Sequence, residues 1–199
     1  DKKIKIMAQI KWKIDPAHSE VQFKVKHLMI TTVTGYFKSF ELTVETEDED
    51  FTQAKKIEFS ADAGSIDTNS EQRDAHLRSA DFFDVEKFGQ IRYTGKVLER
   101  AGEDYKLSGD LTIRGVTKPV TVNVHFGGIV IDPYGQTKAG FEVEGKISRK
   151  EFGLVWNAMT EAGQVVVGDE IKMLCENQLI KQTQATADNL HPPAETAYT

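Results

Sequence analysis

A chain of 199 residues, 39% hydrophobic and 28% charged, is long enough for one domain with a sizeable core and short for two. Its net charge of −6, with lysines scattered among carboxylates, argues against a nucleic-acid partner, and no run approaches the roughly 18 apolar residues of a membrane span. The single cysteine, Cys175, rules out an internal disulfide and a cysteine-rich metal site.

The opening "DKKIKIMAQIKW" is basic but has no apolar stretch of the kind an export signal carries. Residues 1–11 are therefore read as an N-terminal extension, with Met7 a candidate native start. The expected compartment is the cytoplasm, or the periplasm if a signal peptide has been removed. From Trp12 the pattern changes. "SEVQFKVKHLMI" sets Val21, Phe23, Val25 and His27 against Glu20, Gln22, Lys24 and Lys26, the two-residue period of a half-buried strand. The same alternation returns through Ile57, Phe59 and Ala61, then Ile91 and Tyr93, then Leu107, Leu111 and Ile113. Further along it runs through Val120, Val122, Val124 and Phe126, through Phe141, Val143 and Ile147, and through Ile171, Met173 and Cys175.

Gly- or Pro-bearing turns at 100–104, 114–119 and 132–136 separate these runs, so successive strands are antiparallel neighbours. About eight strands with one wet face predict an all-β antiparallel barrel, favoured over a sandwich, spanning residues 12–181. "TNSEQRDAHLRSADFF" breaks the period. With Asn69 or Ser70 as a cap, it is expected to be helical and to cover the barrel mouth with Leu77, Phe82, Phe83 and Phe88. A second irregular stretch, "RKEFGLVWNAMTEAG", brings Phe152, Leu154 and Trp156. The acidic run "ETEDED" reads as a solvated hairpin tip, and residues 182–199 as a flexible tail.

Chemistry is thinly represented. The five histidines show no close metal-ligand spacing, and no nucleophile elbow, phosphate loop or dinucleotide fingerprint occurs, so neither a catalytic set nor a metal or cofactor is expected. The sharpest catalytic candidate, "RDAHL", would need Asp74 to orient His76, but residues two apart on a helix do not face each other. Large apolar side chains gather instead where a barrel opens: Phe37, Phe40, Phe82, Phe83, Phe88, Phe152 and Trp156. A barrel of this size is either filled by side chains or left with room for one small ligand. The inward positions Gly109 and Gly145 would leave such room, or else mark bulges.

These motifs carry a resemblance. In order, "WKIDPAHSEVQFKVKH", "GYF", "SIDTNSEQRDAHLRSADFFD", "LSGDLTIRGVTKPV", "GFEVEGKISRKEFGL" and "VVVGDEIKM" make the chain similar to the bacterial polyisoprenoid-binding, YceI-like proteins from residue 12 to about 180. The resemblance implies a lipocalin-like barrel with one or two short helices, holding a long amphiphilic lipid in an apolar tunnel without catalysis. The lipid would be a polyisoprenoid, an isoprenoid quinone or a fatty amide. It assigns the lining to Phe23, Val25, Leu111, Ile113, Phe126 and Phe141, with Leu77, Phe82, Phe83, Phe152 and Trp156 at the closing segment. Arg73 and His76 would face a polar head group, and His27, Phe37, Phe40 and Phe88 complete the ligand-binding candidates. Relatives also suggest a homodimer. Two other readings stand beside it: a filled barrel acting as a dimeric interaction or stress-response module, and an enzyme using Asp74, His76 or His27 on a small amphiphile.

Overall fold

The computed structural model describes residues 9–183, so the expected tail from residue 184 and the start of the N-terminal extension lie outside the described residues. Eleven strands form one antiparallel sheet: β1 (Ile10–Ile14), β2 (Glu20–His27), β3 (Thr31–Phe37), β4 (Phe40–Thr46), β5 (Lys56–Asp62), β6 (Ile66–Asp67), β7 (Gln90–Ala101), β8 (Asp104–Ile113), β9 (Val116–Ile131), β10 (Thr137–Ser148) and β11 (Val167–Lys181). One α-helix, α1 (Glu71–Arg78), lies between β6 and β7.

The eleven strands make eight staves. β1 and β2 pair with successive parts of β11, so they are one stave broken by a short 3-10 turn at Pro16–His18. β4 pairs with β1 and β3 with β2, while β5 pairs with β4 and β6 with β3, so these too are two interrupted staves. β7 to β11 follow in order, and the β11–β1 pairing closes the ring. Closure removes most of the open edge of a long antiparallel sheet, leaving β3 over Thr31–Gly35 and the two-residue β6 with a strand partner on one side only.

Period-two alternation sorts each strand. Along β11 the odd positions from Ile171 to Leu179 face the interior, and along β8 Leu107, Leu111 and Ile113 are buried. Gly109 and Gly145 do sit on the inward rows, but neither leaves a void. A Cβ on Gly145 would stand 2.7 Å from a Val122 methyl and 2.9 Å from Met173 Cε, and one on Gly109 would meet the Tyr93 ring and the Thr94 carbonyl. Their missing side chains leave space that side chains of the adjacent staves occupy. The register irregularities fall elsewhere, at Gly95/Val97, Gly140/Phe141 and Val167/Ile171.

The two ends differ. At the lower end Phe51, from a 3-10 turn between β4 and β5, folds in against Trp12, Phe126 and Phe141, with ring centroids 4.9 to 5.8 Å apart. The acidic tip of that hairpin is exposed as expected. At the upper end α1 and residues 79–89 lie over the opening. Ser70 is the helix cap residue by backbone, though its side chain makes no capping bond.

Candidate ligand cavity

Inside the barrel runs a cavity of about 270 Å³ whose wall is almost wholly apolar. Lining residues on β11 extend from Val167 to Leu179. At about 3.3 Å per residue and a typical strand tilt, that is roughly 30 Å along the axis. The volume is near the lower end for small-molecule pockets, so a space this long is narrow. Its upper end is walled by Leu77, Phe82, Phe83 and Leu154, its middle by Tyr93, Val122, Val143 and Met173, and its floor by Phe51, Phe141 and Leu179.

Of the candidate ligand residues, Phe23, Val25, Phe37, Leu77, Phe82, Phe83, Leu111, Ile113 and Phe141 line this cavity. The other eight do not. His27 ends β2 opposite Thr31 and Val167, and Phe40 packs against the core from the start of β4. Phe88 lies against Gly115, where a Cβ would come within 2.7 Å of its ring. Phe126 stacks behind Phe141 at 5.0 Å, and Phe152, 1% exposed, is core. Trp156 packs on Phe82 and His76 with centroids 5.3 and 4.7 Å away. In each case aromatic surface was legible, but alternation does not tell a ring in the wall from a ring behind it.

The two polar candidates are spent on the segment itself. Arg73 donates Nε to Thr68 Oγ1 and Nη2 to the Thr68 carbonyl, both at 2.7 Å. Thr68 in turn donates its backbone N–H and hydroxyl to the buried carboxylate of Asp74. His76 Nε2 is 2.9 Å from Asp81 Oδ2. Asp74 and His76 therefore have separate partners and form no dyad. The conspicuous "TNSEQRDAHL" motif is a folding device for the cover.

Several wall residues had weaker sequence signals. Phe51 is the lone aromatic in an acidic turn, and Asn177 is a polar residue on the inward row of β11, between Cys175 and Leu179. Its Oδ1 is buried without a hydrogen-bond partner. Arg149 is 4% exposed and donates to four carbonyls: Gly168 and Trp156 at 2.8 Å, Val167 at 3.2 Å, and Leu154. Burial lowers its pKa, with Asp169 opposing. The guanidinium thus ties together the base of the loop from 154 to 167. Tyr93 Oη lies 3.0 Å from both the Leu107 and Val120 carbonyls and shares its one proton between them; burial, and then Asp110, push its pKa up to about 12. Burial likewise raises the Cys175 thiol to about 12, which leaves it protonated and a poor nucleophile. No group of three His, Cys, Asp or Glu side chains is placed to hold a metal ion among the described residues.

The chain matches the family model of the YceI-like domain over residues 12–178. It belongs to the YceI-like family. Protein YceI of Salmonella newport (strain SL254) is 36% identical over 177 residues, 89% of each chain. The Campylobacter jejuni YCEI protein has a TM-score of 0.67 at 29% identity, covering 79% of this YceI-like chain and 90% of its own. Two more distant structures share the fold: BcnA of Burkholderia cenocepacia (TM-score 0.71, 23% identity, 83% and 98% covered), and a polyisoprenoid binding domain from Saccharophagus degradans (0.59, 16%, 86% and 98%). The lipocalin-like eight-stave barrel is thus the architecture of this YceI-like protein.

Proposed function

We propose that this protein binds and carries, without chemistry, a long amphiphilic lipid whose single tail lies along the barrel cavity. The observation that carries the reading is the shape of the cavity: long, narrow and apolar from Leu154 to Phe51. Such a space rewards tail length, at roughly 0.8 kcal/mol for each buried CH₂. A polyisoprenoid, or a fatty chain of similar section, is the cargo class it suits, and the name of the Saccharophagus degradans domain points the same way. A carrier also fits the polar groups near the mouth, since Arg73, Asp74 and Arg149 are occupied by neighbouring backbone and hydroxyl groups.

The test is to purify the protein without detergent, extract it with organic solvent and identify what is present at about one equivalent by mass spectrometry. A stoichiometric prenyl or acyl lipid is expected. An empty extract, together with added isoprenoids that fail to raise the melting temperature, would overturn the carrier reading.

A further inference from the structure

Nine large apolar side chains stand exposed among the described residues, and five of them, Met29, Ile30, Val155, Met159 and Val165, sit on two loops at the upper end. The loops are joined. Leu28 N–H donates to the Val166 carbonyl, Met159 and Val165 are bridge partners, and Val166 N–H donates to Ala158. Met29 and Ile30 are 60% and 78% exposed. Leu28 and Met29 both hold positive φ, 51° and 59°, at the central positions of the His27–Ile30 turn, where Asn-Gly would be at ease. Bulky apolar residues here are unfavourable twice over, in backbone conformation and in hydration. Barrel packing explains neither, because the side chains point away from it.

The rim formed by the two loops is also short of charge, unlike the neighbouring cover with Glu71, Arg78, Asp81, Glu86 and Lys87. Residues 28–37 contain no Asp, Glu, Lys or Arg, and residues 152–168 contain only Glu161, in a chain that is 28% charged. It continues the cavity wall, since Leu154 and Val167 line the cavity and bracket the longer loop, while Val25 lines it just below the shorter one. Arg149 clamps the longer loop at its base, so the rim is held in place before it meets anything.

We propose that this rim docks on the surface of a lipid bilayer, inserting Met29, Ile30, Val155, Met159 and Val165 so that the cavity mouth faces the lipid. The proposal rests on the carrier reading for its purpose, and on exposure, turn strain and missing charge for its mechanism. A loop pair whose one charged side chain is Glu161 suits the acyl boundary of a neutral bilayer, whereas an anionic bilayer would repel a chain of net charge −6.

The experiment is flotation of the full chain with phosphatidylcholine vesicles, at low and high salt, beside an Ile30→Glu/Met159→Glu variant. Wild type should float with the vesicles regardless of salt, and the variant should lose at least about tenfold in partitioning. A control, Val130→Glu/Ile131→Glu, charges two exposed apolar residues at the opposite end and should float like wild type. Docking is overturned if wild type stays unbound, if the rim variant still floats, or if the control falls equally. It is also overturned if the rim instead mediates self-association, with dimers in wild type that the variant abolishes and no vesicle binding. Mass spectrometry of lipid retained by the same proteins separates the two readings. Retained lipid with no flotation sinks docking alone, and flotation with an empty cavity sinks the carrier alone.

Discussion

Arg149 and Asn177 each set a polar side chain against an apolar interior, and they have opposite consequences. Arg149→Met would leave four carbonyls short of their donor, so we expect a loss on the order of 3 kcal/mol in urea unfolding, with the 154–167 loop loosened. Asn177→Leu removes an acceptor that already lacks a partner, and should stabilise by about 1 kcal/mol in the same measurement; a loss of similar size would mean that the carboxamide is satisfied. Tyr93 gives a pH test. Its folded pKa, about 12, lies above the unfolded value of about 10, so its contribution to stability is intact below pH ~10 and declines as pH rises towards 12. Absorbance titration of the phenolate in wild type and Tyr93→Phe checks this; a wild-type tyrosine set that is fully ionised near pH 10 while folded would refute it.

At the level of elements, the β2–β11–β10 face places Glu20, Glu176 and Glu142 side by side in register on the outer surface. Partial burial and these two neighbours raise the Glu176 pKa. Acid is therefore favourable: the repulsion fades as pH falls through the raised value. Glu176→Gln should add a few tenths of a kcal/mol at neutral pH and low salt, an advantage that thermal melts should show vanishing in high salt. The lower closure depends on a single ring. Phe51→Ala, which removes a side chain 8% exposed between Trp12 and Phe141, should cost about 3 kcal/mol and speed the release of any bound lipid. Seven of the eleven strands were legible because alternation is local, whereas β1, β3, β4 and β6 carry no run that was read as a strand. The closing elements were only partly legible, since a 3-10 turn that drops Phe51 inward has no period to read.

For the whole molecule, the narrow cavity predicts a ruler. Val143 lines the middle of the space, and Val143→Trp should block it there, so that the variant takes short-chain amphiphiles and refuses long ones. The readout is the melting temperature with a series of alcohols of increasing length, each stabilising in proportion to the logarithm of its concentration over Kd. An unchanged length preference would place the tail elsewhere.

Alternation, turn residues and the order of motifs determined an antiparallel barrel with a helical cover, because each depends on neighbours along the chain. Of the nine cavity residues named from the sequence, Phe23, Val25, Leu111, Ile113 and Phe141 fall on alternating rows, where strand geometry sends every second side chain inward. Leu77, Phe82 and Phe83 come from the segment that breaks the period and owe their lining role to the family resemblance. What only the tertiary structure decided was which rings reach the lumen. Phe126 and Phe141 face each other across β9 and β10, yet only Phe141 lines the cavity. Arg73, at home beside a head group on paper, is claimed by Thr68 five residues away. Packing depth and hydrogen-bond allegiance are set by contacts between distant staves and turns, and a one-dimensional period carries no information about either.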